Sequence, residues 1–270
     1  MDFMKDNQDN KTYIKNNFIK LTDKIKKCKI ETHPFPHIIV EDGFDSELRF
    51  EDFFDFKHLK ISSHGRTEYR IDLDIDSDLS ILIEDLKNVI IKKFNISPPN
   101  DGLRDDGIFI SHATTLNLWE DSDELDIQDI HLDYLIRDSV DDFVQNKTNE
   151  STQIVISMHV YLPDDTLFEN ELGTYLYKIK NDIPDAAYKN LFIDADDPIE
   201  IPTILNKKLS DIYVSVEKQL PFKKGFVYIH PTTPNSWHSA PVVPKEYIRK
   251  SFMIRWSWTE YVKKSSFLTS

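Results

Sequence analysis

The sequence contains one cysteine, Cys28, in 270 residues, so no internal disulfide can form and a reducing compartment is tolerated. No apolar run approaches the roughly 18 residues that a membrane helix requires. The opening residues, MDFMKDNQDNKTY, lack the apolar core and small-residue cleavage site of a secretion signal. The expectation is a cytoplasmic protein with no membrane partner. Basic charge is also scarce: 33 Lys and Arg stand against 47 Asp and Glu, a formal net charge of -14. A nucleic-acid binder presents a basic footprint, so nucleic acid is not an expected partner. The best local basic cluster, KIKK at 24–27, reads as a solvated helix face.

What is present is a globular composition, 40% hydrophobic and 12% aromatic, on a chain long enough for one large domain or two small ones. Residues 11–29 carry Ile14, Phe18, Leu21 and Ile25 at helical spacing. HPFPHIIVEDGF at 33–44 reads as a short strand entering the body, and DSELRFEDFFDF, opening on Asp45 or Ser46 as cap, reads as a helix. SDLSILIEDLKNVIIKKF at 77–94 is the clearest helix. Ser77 or Asp78 caps it, Leu79, Leu82, Ile83, Leu86 and Ile90 form its stripe, and Lys92 and Lys93 complement its dipole.

From about residue 108 short β-like runs take over: IFISHATTLNLW, IHLDYLI, TQIVISMHVYLP, GTYLYKI, GFVYIHP and KSFMIRWSW. Such a series predicts an antiparallel sandwich or barrel. Residues 181–220 read as an insertion with at least one helix, around PTILNKKLSDIYVSVEK, and no internal repeat is evident. The expected class is α+β: a helix-rich part over 1–105 and an all-β core over 106–262, in one domain spanning 1–270.

Within IHLDYLI, His131 and Asp133 sit two apart. On a regular strand, residues i and i+2 share a face, so imidazole and carboxylate would project side by side. Alone, such a pair occurs often by chance, and a solvated strand face accounts for it more simply than half of a metal site does. The C-terminal block adds His238, then Arg249 eleven residues on and Ser251 two further. Two histidines and one carboxylate are the ligand set of mononuclear non-haem Fe(II) oxygenases, with the remaining positions open. Arg249 has its own alternative, a surface ion pair in an acidic protein. A guanidinium also matches a carboxylate in bidentate fashion, and its spacing to Ser251 aims both groups to one side of a strand.

PFPHIIVEDGF near the start, H-L-D in the middle, ELGTYLY after it, and WHSAP followed by RKS near the end resemble the 2-oxoglutarate and Fe(II)-dependent oxygenases, in particular their prolyl-hydroxylase-like branch. The resemblance covers roughly residues 34–258, in the same order. It implies a double-stranded β-helix (a jelly roll, cupin-like) with the N-terminal helices packed outside. It implies Fe(II) on His131, Asp133 and His238, and 2-oxoglutarate held by Arg249 with Ser251. Tyr161 and Asn117 become candidate cosubstrate contacts; a buried Asn satisfied by backbone is the other reading of Asn117. The implied reaction hydroxylates a C–H bond of an amino acid, a protein side chain or a small metabolite, consuming dioxygen and releasing succinate and CO2. The implied partners are thus a small-molecule or peptide substrate and dioxygen.

Other residues take lesser places in this pattern. His230 lies nineteen residues before Arg249 and fits less well than His238. Arg255 shares a face with 249, 251 and 253 and would line the cavity deeper in, and His159 shares one with Tyr161. Trp119 and Trp237 read as packing or pocket wall, and His33, His37, His58, His64 and His112 as structural or surface residues. Arg137 opens a long acidic loop and is either a substrate contact or solvated. Two further functions compete: a cupin-like dioxygenase without 2-oxoglutarate, for which Arg249 is dispensable, and a non-catalytic jelly-roll module binding carbohydrate or peptide.

Overall fold

The computed structural model describes residues 2–47, 59–61, 66–71, 77–96, 104–114, 130–136, 150–180, 201–205, 212–233, 235–241, 243–244 and 247–262. Its side chains are described for 12–47, 79–96, 130–131, 156–180, 212–233, 235–241, 243–244, 247 and 249–256.

Two helices form where the apolar periodicity places them. Helix α1 (Asp2–Lys27) buries Ile14, Phe18, Leu21 and Ile25, and α2 (Ser77–Phe94) buries Leu79, Ile83, Leu86 and Ile90. Helix α2 stops at Asn95, which takes the left-handed conformation at φ 53°. The Asn95 amide bonds Lys92 O and the Ile96 amide bonds Ile91 O, the paired closure that satisfies carbonyls at a helix end. No described helix is long and apolar enough to cross a membrane.

The strands are β1 (Ile38–Val40), β2 (Leu59–Ile61), β3 (Arg66–Ile71), β4 (Arg104–Thr114), β5 (Ile130–Ile136), β6 (Glu150–Tyr161), β7 (Tyr175–Ile179), β8 (Ile201–Leu205), β9 (Val214–Gln219), β10 (Val227–Pro231), β11 (His238–Ser239) and β12 (Ile248–Val262). All their pairings are antiparallel, in the order β2-β3-β4-β12-β6-β5-β11-β7-β9, with β10 joining β1 to β6 and β8 beside β5. One edge of β6 pairs with β12 along its length. The other is shared, with β10 along Ile156–Val160 and with β5 at Thr152 and Gln153, so the sheet divides there.

Directly opposed residues of an antiparallel pair lie on one face. Ile156, Met158 and Val160 of β6 therefore join Val227 and Ile229 of β10 and Phe252, Ile254 and Trp256 of β12, and this face packs on both helices in one buried cluster. Phe18 of α1 meets Phe44 and Phe252 edge-on, with ring centroids 5.2 and 6.5 Å apart. The other face carries Ser157, His159 and Tyr161, Tyr228 and His230, and Arg249, Ser251, Met253 and Arg255. Gly225, at φ 76°, makes the turn into β10, where a Cβ would collide with the Phe44 carbonyl.

The stretch PTILNKKLSDIYVSVEK supplies β8, paired with β5, and β9, paired with β7, and its backbone is helical at 212–213; residues 206–211 between them lie outside the described residues. Within 1–105, β2 and β3 pair in a ladder that extends the sheet beyond β4. The helix expected over DSELRFEDFFDF falls largely outside the described residues, as does 181–200.

Candidate metal and cosubstrate site

His131 of β5 and His238 of β11 are direct backbone partners, and their rings stand 4.4 Å apart between centroids. His238 is buried and His131 half-buried. The Nδ1 of His238 lies 2.9 Å from the Ser236 carbonyl. A carbonyl only accepts, so Nδ1 carries the proton and the neutral ring offers its Nε2 lone pair, the arrangement in which a histidine binds a metal. The loop before it is built to aim that carbonyl. Thr233 and Ser236 bond each other reciprocally, and Trp237 O accepts the Tyr177 amide at 3.0 Å, tying the loop to β7.

Asp133 lies two residues beyond His131, in a bulge: Leu132 pairs with Thr203 and Leu135 with Pro202, leaving 133 and 134 without β8 partners in the register. A bulge breaks the plain alternation and re-aims side chains. The Asp133 side chain is outside those described. Among the described residues, no three His, Cys, Asp or Glu side chains form a group able to hold a metal. The two histidines nevertheless fit one: the fixed tautomer of His238 and the adjacent His131 ring offer nitrogen donors suited to a borderline divalent ion.

Arg249 opens the same inner face. It is 7% exposed, its Nε–H donates to Leu172 O at 2.7 Å, and its guanidinium carbon lies 5.3 Å from the ring centres of both Tyr161 and Phe222. A guanidinium stacked on aromatic faces and tied by one edge is held in one orientation. Ser251 is buried and opposes Tyr161 across the β12–β6 ladder. The Tyr161 ring also stacks on Phe226 at 5.7 Å, and its hydroxyl meets Thr174. A surface ion pair for Arg249 does not agree with this burial.

The histidines His159 and His230 belong to the same interior. His230 lies 4.7 Å from the His238 ring, edge to face, and stacks on Tyr228 at 5.0 Å and on His159 at 6.1 Å. Linear spacing ranked His230 low, yet its ring adjoins that of His238 in the fold. Arg255 is half-buried on this face, opposite Ser157. Trp237 is fully buried.

His37 is a buried residue outside this set. Its Nδ1–H donates to Phe35 O at 2.8 Å, and its Nε2 faces Glu31 at 3.3 Å without hydrogen-bond alignment. Burial holds its pKa below the ordinary 6.5, against the opposing pull of Phe35 O and Glu31. Burial pushes the Glu31 carboxyl up, but Lys218 and His37 together bring it below its ordinary value. His33 is exposed and pairs with Glu217 at 2.7 Å. Asn117, Trp119, Arg137, His58 and His64 lie outside the described residues, and so does the side chain of His112 on β4.

No protein-family model matches the sequence, and neither does any curated protein. Solved structures of similar trace exist. The epimerase SnoN, in complex with Fe3+, alpha ketoglutarate and nogalamycin RO, has a TM-score of 0.44 at 12% identity, covering 94% of this chain and 89% of that chain. HygX from Streptomyces hygroscopicus, with nickel, 2-oxoglutarate and hygromycin B bound, has 0.43 at 14%, covering 84% of each. An oxidoreductase of the 2OG-Fe(II) oxygenase family from Burkholderia pseudomallei has 0.36 at 11%, covering 84% and 87%. At scores this low, these likenesses carry no weight in assigning residues of this chain.

Proposed function

We propose that the chain is a cytoplasmic, single-domain Fe(II) and 2-oxoglutarate-dependent dioxygenase that hydroxylates a C–H bond of a small molecule or peptide. The observation that carries the reading is the pairing of His131 with His238, rings 4.4 Å apart, on a sheet face that also buries Arg249 beside Tyr161. The dividing antiparallel sheet supports a double-stranded β-helix.

His131, Asp133 and His238 would hold the iron, and Arg249 with Ser251 and Tyr161 the distal carboxylate of 2-oxoglutarate; Asn117 is a further candidate contact. Bound there, iron would activate dioxygen, the oxidant, whose electrons would come in part from 2-oxoglutarate, leaving succinate and CO2, and in part from the hydroxylated C–H bond. The chain's own work is geometric. Ser236 O fixes the His238 tautomer, so the donor nitrogen is available without prior proton loss. Leu172 O and the two aromatic rings orient the guanidinium before any ligand arrives, which limits the entropy lost on binding. The buried cluster around Tyr161 and Phe222 would keep water from a ligand held beside Arg249.

The test is succinate formation from 2-oxoglutarate, with and without Fe(II). Iron-dependent succinate that disappears in His131→Ala and His238→Ala supports the reading. Iron-independent turnover, or wild-type turnover in either variant, contradicts it. Iron bound through His131 and His238 with no succinate formed favours the cupin-like dioxygenase without 2-oxoglutarate.

A further inference from the structure

Strand β11 is two residues long, and His238 opens it opposite His131 of β5 and Leu176 of β7. So short a strand fixes its backbone by few ladder bonds. Histidine χ2 is a broad torsion, so the rotamer does not set the ring plane either. The Nδ1–H bond to Ser236 O fixes one ring atom and leaves tilt about that bond. Such a tilt swings Nε2, the nitrogen that would meet a metal.

A second ring opposes the tilt. The chain leaves β10 after His230 and Pro231, turns through 232–237, and returns with the His238 ring 4.7 Å from that of His230, at 66° between planes. The His230 ring is itself backed by others. Tyr228 stacks on it at 5.0 Å, His159 of β6 stacks at 6.1 Å, and Phe35 meets it edge-on at 6.0 Å. His230 and Tyr228 are 0% exposed and Phe35 1%. Phe35 lies in a short loop closed by backbone bonds between Glu31 and His37 at 2.9 and 2.8 Å, and Lys218 of β9 pairs with Glu31 outside it. Ring contacts therefore run unbroken from the N-terminal segment to the candidate metal pair, and close-packed contacts of this kind transmit position. His230 is not read as a ligand: with His131 and His238 it forms no metal-holding group among the described residues.

We propose that His230 is a positioning residue: its ring, backed by Tyr228, His159 and Phe35, holds the His238 imidazole at the tilt that metal binding needs. This rests on the metal reading of His131 and His238 above. The contact is an edge-to-face one between rings, so a phenyl ring serves in place of the imidazole and a side chain without a ring does not.

The experiment titrates the full chain with Co(II), a stand-in for Fe(II) whose visible ligand-field bands report ligand geometry. His230→Ala weakens Co(II) binding about tenfold, as loss of an outer-shell partner does, and shifts the bands of the metal-saturated protein. His230→Phe restores both. Phe35→Ala shifts the same bands less, because Tyr228 and His159 still back His230. Should His230→Ala fail to fold, His230→Leu, which fills volume without a ring, is read instead. Affinity and bands equal to wild type in the ringless variant, an affinity loss with bands unchanged at saturation, or failure of His230→Phe to restore them overturns the His230 role alone. No Co(II) bound by wild type, or binding untouched by His131→Ala and His238→Ala, overturns the metal reading and this proposal with it.

Discussion

Along β6, β10 and β12, alternate residues of the same strands serve two different interiors. Ile156, Met158, Val160, Val227, Ile229, Phe252, Ile254 and Trp256 face the helices without one titratable group among them. Ser157, His159, Tyr161, Tyr228, His230, Arg249, Ser251 and Arg255 face the other way. A slip of one residue would exchange the sets and press imidazole and guanidinium against α1 and α2. The apolar face thus locks the register, and the register places the chemistry. Helix packing and the proposed chemistry are divided by the parity of residue number within a strand.

The sharpest way to break this division is Phe252→Ala on the helix side. Phe252 is fully buried and touches Phe18, so the loss is about 3–5 kcal/mol. Denaturant unfolding should show that loss, while the folded fraction keeps its iron affinity. On the inner side, His238→Ala should weaken Fe(II) binding by more than the roughly hundredfold known for outer-shell partners, at a smaller cost in stability than Phe252→Ala. Calorimetric titration with the metal checks it; an iron affinity equal to wild type would break the comparison. Arg249→Lys keeps the charge but loses the planar fork and the stacking on Tyr161 and Phe222. It should weaken 2-oxoglutarate about tenfold and leave iron affinity unchanged.

The smallest effect is a pH dependence at the edge of the inner face. His37 packs on Phe35 and Tyr228, with Glu31 and Lys218 as its charged neighbours. Its pKa is lowered in the fold, so below the ordinary 6.5 the unfolded chain binds the proton more readily. Stability is therefore present above about pH 6.5 and declines as pH falls below it. Thermal unfolding from about pH 7 to about pH 5 should decline more steeply for wild type than for His37→Gln, since the other histidines titrate in both. Parallel curves would remove His37 as the cause.

Much of this was legible in the sequence, and what was not has physical reasons. Helix α2 could be read end to end because its stripe, cap and terminal lysines all agree. H-L-D and WHSAP with RKS were singled out by residue type, and of these the structure pairs His131 with His238 and buries Arg249 and Ser251 on one face. The strands β8 and β9 were not read from the sequence, because Leu205, Leu209, Ile212 and Val216 are spaced 4, 3 and 4 apart like a helix stripe, although Ile212 and Val216 are exposed. The β2–β3 ladder escaped notice because short polar strands form only against a neighbour, here β4. Thr174 and His230 carried no motif. Their partners are set by tertiary contacts between segments, which linear spacing does not encode.

The most direct measurement is the iron position in crystals grown anaerobically with Fe(II), located by anomalous scattering at the iron edge. The expected result is one peak within bonding distance of a His131 ring nitrogen, His238 Nε2 and the Asp133 carboxylate. A peak at His33 and Glu217, at His37 and Glu31, or none on the inner face would contradict it.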